Sequence, residues 1–214
     1  MAALTKFYPY VTVDVPSAAI PSVEVAVRDA CIDFCERTLF LQVDHDPITA
    51  IAGEPTYEFS PPDGYVVDRI MQLWYDNVML PPVVTDNAFQ SSYVERGEDV
   101  RQDPQGYLQK DSRSFSLLPT PRVTLRNGIV MRVAIKPTRV ATEVDDILYD
   151  DYAEVIGWGA KYRLMLSPGK EYTNPEMAQA AKGLFDRGLS RARNRMTRNH
   201  TRAQMSVRFN GGFA

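Results

Sequence analysis

Few residues in this sequence could carry chemistry, and they fall into a handful of groups. Asp145, Asp146, Asp150, Asp151 and Glu154 crowd one short stretch. Paired carboxylates can hold a divalent ion or act as acid and base. An acidic helix start facing solvent explains the same residues with less, and an electrostatic contact with a basic partner surface is a third reading. His45 and His200 are the two histidines. A Ser/His/Asp triad would have to use one of them, but no nucleophile-elbow sequence accompanies either, so a solvated or capping role is expected. Cys31 and Cys35 stand four apart, on one face of a helix. No further ligand follows at a zinc-site spacing, which leaves them as small buried apolar side chains. Ser167-Pro168-Gly169-Lys170 lacks the GxxxxGK[ST] pattern of a phosphate loop. The sequence therefore predicts no catalytic residue, no metal site and no cofactor, and a protein that is not an enzyme.

The last group is cationic. Arg187, Arg191, Arg193, Arg195, Arg198, Arg202 and Arg208 follow Asp186 with no acid among them. Arg187, Arg191, Arg195, Arg198 and Arg202 keep a 4-4-3-4 spacing, so a helix through them would carry a basic ridge suited to phosphate or an acidic protein groove. Phe209 and Phe213 trail behind, costly to leave idle on a surface without a partner. The alternative is a frayed, solvated terminus. The chain as a whole carries a formal charge of −3 over 214 residues, so any attraction to an anionic partner is local.

The elements that must position these groups are mostly helical. Leu148, Tyr152, Val155, Gly159, Tyr162 and Leu166 make one apolar stripe, and Met177, Ala181, Leu184, Phe185, Gly188 and Ala192 another. Thr142 with Asp145 is a variant capping box for the first. Asn174 caps the second, with Pro175 at the first helical position. Joined by a short turn, the two should pack antiparallel and need a third element to cover them. A helix over residues 22–40, with Val23, Val27, Ala30, Cys31, Phe34 and Thr38 on one face, suits that role. Residues 1–16 read as an edge strand, from the alternation of Val11, Val13 and Val15.

Between these lies a different period. Two short strands are expected around Gly53, another over residues 66–75 ending at an Asp76-Asn77 turn, and a hairpin with Asn127-Gly128 as its type I′ turn. Residues 86–116 form a long polar stretch without period, of the kind that binds something or is disordered. The expected fold is α+β: an antiparallel bundle of three main helices from residues 1–40 and 139–195, an inserted and mostly antiparallel β region over 41–138, and an extended basic arm over 196–214. No apolar run approaches the ~20 residues that span a bilayer, the start MAALTKFYPYVTVDVP lacks a signal-peptide layout, and no membrane partner is expected.

These segments, in this order, resemble a known family. VEVAVRDACIDFCERTLF, DHDPITAIAGEPTYEFSPPDGYVVDRIMQLWYDN, LLPTP, MRVAIKPTR and LMLSPGKEYTNPEMAQAAKGLFDRGLSRAR are similar to stretches of the head-to-tail adaptor, or connector, proteins of tailed bacteriophages with a podovirus-type neck. The resemblance implies a structural virion protein made in the host cytoplasm. It would form a ring of twelve copies between portal protein and tail (nozzle or tube) protein and extend the channel through which genomic DNA passes without sequence-specific binding. On that reading Arg191, Arg195, Arg198, Arg202, Arg208, Phe209 and Phe213 dock the arm on the portal. Tyr93, Arg96 and Tyr107 would meet the tail or a neighbour. Asp145, Asp146, Asp150 and Asp151 would face a neighbour or the channel. A cut after Arg187 is expected to leave a folded protomer. Two other readings stand beside it: a virion-associated cell-wall hydrolase using Asp150 and Glu154, and a DNA-binding protein using the Arg-rich tail.

Overall fold

The computed structural model describes residues 1–83 and 103–198. Among them the chain forms four α-helices and nine strands, and strand accounts for about 29% of the described residues. This corrects the expected three-helix bundle with an inserted β region: the β part is three antiparallel sheets of the same standing as the helices. β1 (Ala2–Ala3) pairs with β9 (Glu143–Val144). The central sheet has the order β2-β8-β4-β5, built from Gln42–Ala50, Leu125–Pro137, Tyr65–Tyr75 and Val78–Met79. The third has the order β3-β7-β6, from Thr56–Glu58, Ser114–Leu118 and Gly106–Gln109.

The misreading traces to β8. Asn127-Gly128 is no hairpin turn but an irregularity inside this one 13-residue strand, where pairing with β2 jumps from Ile48↔Ile129 to Ala50↔Leu125. Asn127 does take positive φ, 54°, so the local preference was met by a bulge, which also tolerates it. The two-residue turn with both φ positive is Asp76-Asn77, at 47° and 63°, between β4 and β5. Part of the expected 86–116 loop is also ordered, as the β6–β7 hairpin.

Residues 1–16 are likewise not an edge strand. After β1 come a 3-10 turn over Leu4–Phe7 and a short helix α1 (Pro9–Thr12), opened by proline. Val11 and Val15 are buried while Val13 is 78% exposed, because the operative repeat is four residues and not two.

The other helices follow the expected segments. α2 (Ile20–Thr38) buries all six residues assigned to its inner face. α3 (Asp146–Met165) is capped by Asp145, whose side chain accepts from the Ile147 amide, so the cap lies three residues later than Thr142. α4 (Pro175–Arg198) is capped by Asn174, which accepts from the Met177 amide at 3.1 Å. α3 and α4 cross antiparallel through glycines. A Cβ on Gly159 would stand 2.8 Å from Phe185 and 3.0 Å from Ala30 of α2, and one on Gly188 would overlap Val155.

A third flank of α3 carries the N-terminal segment. Gly157 admits the Tyr10 backbone, since a Cβ there would lie 3.3 Å from its carbonyl oxygen. One turn on, Lys161 is buried, with Nζ 2.6 Å from Asp14 and 3.3 Å above the Trp158 ring. α2 joins helices to sheet: it packs on β8, and Lys136 of β8 bridges Glu36 at 2.6 Å and Asp68 of β4 at 2.9 Å. The small sheet leans on β4 through Gln109, whose side-chain amide accepts from the Ile70 amide and donates to the Asp68 carbonyl.

Gly159→Leu is expected to destabilise the fold by about 2–3 kcal/mol, because the close-packed crossing cannot take the side chain. Gly183→Ala, where a Cβ meets nothing within 4 Å, is expected to stabilise by about 0.5–1 kcal/mol through helix propensity alone. Urea unfolding of both variants checks the pair; equal effects would refute the packing argument.

Candidate functional site

The acidic and basic groups lie on neighbouring elements, and the fold brings them together. Antiparallel packing sets the end of α4 beside the start of α3. There Arg195 places Nη1 2.7 Å from Asp151 Oδ2. The two surfaces expected to serve separate partners are thus bridged within one protomer. Asp145 is spent as a helix cap. Asp146 lies 2.7 Å from the Met1 amino group, whose hydrogen bond holds its carboxyl below the usual aspartate value. Among the described residues Asp150 forms no ion pair; it is exposed, as is Glu154 one turn on.

The basic ridge is real over its described length. Arg187, Arg191 and Arg195 are exposed on one flank of α4, beside the buried face of Ala181, Phe185, Gly188 and Ala192. Arg187 and Arg191 make no ion pair among the described residues. Arg198 ends the helix. Arg202, Arg208, Phe209 and Phe213 lie outside the described residues, as do His200, Tyr93 and Arg96. Tyr107 does not lie on the protomer surface. It is 6% exposed in β6, its amide donating to the Pro81 carbonyl and its carbonyl accepting from the Val83 amide.

A groove of about 450 Å³ opens where the two stripes end. Phe40, Leu41, Ile147 and Met196 give it apolar walls, and Asp44, Arg132, Asp145 and Arg195 a charged rim. Arg132 grips Asp44 across β8 and β2 with both Nε, at 2.7 Å, and Nη2, at 3.3 Å. That hydrogen bonding holds the Asp44 carboxyl below its usual range and raises Arg132.

The remaining candidates are structural. His45 is buried; its Nε2 accepts from the Ser60 amide at 2.8 Å, and Nδ1 lies 2.7 Å from the Asp46 carbonyl. It cross-links β2 to the Ser60 segment where a solvated or capping role was expected. Cys31 and Cys35 are buried in α2, and burial pushes the Cys31 thiol up to about 12 and raises Cys35 as well, which makes both poor nucleophiles. Sequence reasoning missed Lys161, since nothing in its spacing marks a lysine that enters a packed flank.

A protein-family model described as SU10 adaptor protein matches residues 9–208. The match takes in the four-stranded and three-stranded sheets, α1 to α4 and most of the basic segment. No curated protein matches the chain.

Since the Asp44 pKa is lowered on folding, its pair with Arg132 stabilises the folded state above the unfolded value of about 3.9 and fades as pH falls through the folded one. NMR titration is expected to place the Asp44 carboxyl below 3.8, and Arg132→Gln to move it upward. A titration indifferent to Arg132→Gln would refute the pairing.

Proposed function

Because the chain belongs to the SU10 adaptor family, a family of phage head-to-tail adaptors, we propose that it forms a ring of twelve copies in the virion neck. The ring stands between portal protein and tail protein and extends the DNA channel. The coarser statement follows from membership: the chain is a structural phage protein. The observation that carries the finer one is the extent of the match, which leaves out only eight residues at the start and six at the end.

The geometry supports a protein that works by fitting. A heterologous contact repeated by rotation closes into a ring, and it needs two unlike flanks on one protomer. Arg187 and Arg191 supply cations without a partner among the described residues, and Asp150 and Glu154 supply exposed carboxylates. The arm that docks on the portal comprises Arg191, Arg198, Arg202, Arg208, Phe209 and Phe213. Arg195 leaves that set, since Asp151 already engages it. Residues around Tyr93 and Arg96 meet the tail or a neighbour. Acidic side chains near the channel keep DNA from sticking by like charge. Each arm contact is weak, and repetition around the ring multiplies it.

Mass measurement of the chain alone and with portal tests this directly. A monomer alone and twelve copies per portal are expected; a portal complex that never forms would retire the proposal. The cut that removes Arg202, Arg208, Phe209 and Phe213 and spares the helix falls after Arg198, since a cut after Arg187 would remove the buried Leu189 and Ala192 and the Arg195–Asp151 bridge. The chain ending at Arg198 is expected to unfold like the full chain in urea and to lose portal affinity by at least about 100-fold.

A further inference from the structure

The groove at the end of α4 has an occupant suggested by its position and its chemistry. We propose that it seats this chain's own residues 199–214 in cis, so that each free protomer holds its arm against itself until the portal takes it. The inference rests on the reading of these residues as the portal-docking arm and adds how the arm is kept in check.

Four observations converge on this seat. The chain leaves α4 at the groove: Met196 lines it, and Arg198, two residues later, ends the helix. Phe209 lies eleven positions beyond Arg198, an extended reach of roughly 36–40 Å, so the segment can double back along its wall. The walls formed by Phe40, Ile147 and Met196 are only half-buried, and the arm brings Phe209 and Phe213 to cover them. The charge agrees as well. Residues 199–214 carry Arg202 and Arg208 and no acid. Both cations of the groove are already neutralised, Arg132 by Asp44 and Arg195 by Asp151, which leaves on the rim the carboxylate of Asp145, exposed and unpaired with any cation among the described residues although one of its oxygens caps α3. Finally, β2 is an edge strand, paired with β8 alone, and Gln42 and Asp44 of β2 form one wall. Its outer edge offers main-chain groups that an extended segment can pair with.

The tether decides between the protomer's own arm and that of a second copy. A short flexible link gives an effective concentration in the mM range, far above the micromolar concentrations at which free protomers meet. Even a sub-millimolar intrinsic affinity then closes the groove in cis. Once a portal offers many seats in an array, the exchange runs outward.

Hydrogen exchange of the full chain without portal tests this, read on peptides covering residues 40–46. Phe209→Ser with Phe213→Ser is expected to speed exchange there by roughly five-fold, the loss of a weakly held local cover. The expected rates do not vary with protein concentration. Ile147→Glu, which charges the groove wall, is expected to give the same change in an otherwise intact chain. Exchange that is indifferent to the phenylalanine substitutions overturns the proposal, and so does protection that grows with protein concentration, which would assign the seat to a second copy. Portal co-assembly of the same variants is a separate readout. Its loss without any change at residues 40–46 would speak against the cis seat and for the arm; faster exchange with portal binding intact would speak the other way.

Discussion

Helix α3 has to bury three flanks at once, and the molecule is arranged to let it. α2 covers one flank, α4 a second, and the N-terminal segment with α1 a third. A helix so enclosed cannot be simply amphipathic, and its buried set, which includes Leu148, Ile156, Gly157, Gly159, Ala160, Lys161 and Met165, runs around most of its circumference. Small residues carry much of this, because close approach on several sides leaves room for little else. Lys161 is the exception. A long cationic side chain sits on the third flank, and a buried ammonium is costly unless paired. Asp14 and the face of Trp158 supply the pairing, so the N-terminal segment is held by charge as well as by packing.

Much of this was legible in the sequence where one local rule had no competitor. The α2 inner face, the Asn174-Pro175 start, the antiparallel pairing of the two long helices and the long β4 strand each follow from spacing or a single residue type. The failures come where two rules fit the same residues. Asn127-Gly128 satisfies a hairpin turn and a bulge equally; pairing of β8 on both edges, which no local window contains, chose the bulge. Val11 and Val15 satisfy periods of two and four together, and only the approach of α3 selects four. The expected bundle with a β insert underweighted strands such as β6 and β7, whose polar sequence hides that Tyr107, Phe115 and Leu117 are buried.

The charged groups tell a similar story about range. Asp151 and Arg195 are 44 positions apart, and read along the chain they belong to opposite surfaces. The antiparallel hairpin makes them one ion pair. Among the described residues, Asp150 and Glu154 on one rod and Arg187 and Arg191 on the other are exposed and form no ion pair, a smaller inventory than the sequence advertises. An exposed ion pair contributes little to stability, so the worth of Arg195–Asp151 lies in fixing where the last turns of α4 sit, and hence which charges are left to meet something else.

The glycines at the crossing of the two long rods have a geometric outcome. With two hydrogen atoms standing where two side chains would be, the paired rods make a slimmer slab than leucines would allow. A methyl group added here would be felt beyond the contact itself, because two rigid rods forced apart at their crossing carry every group along them outward.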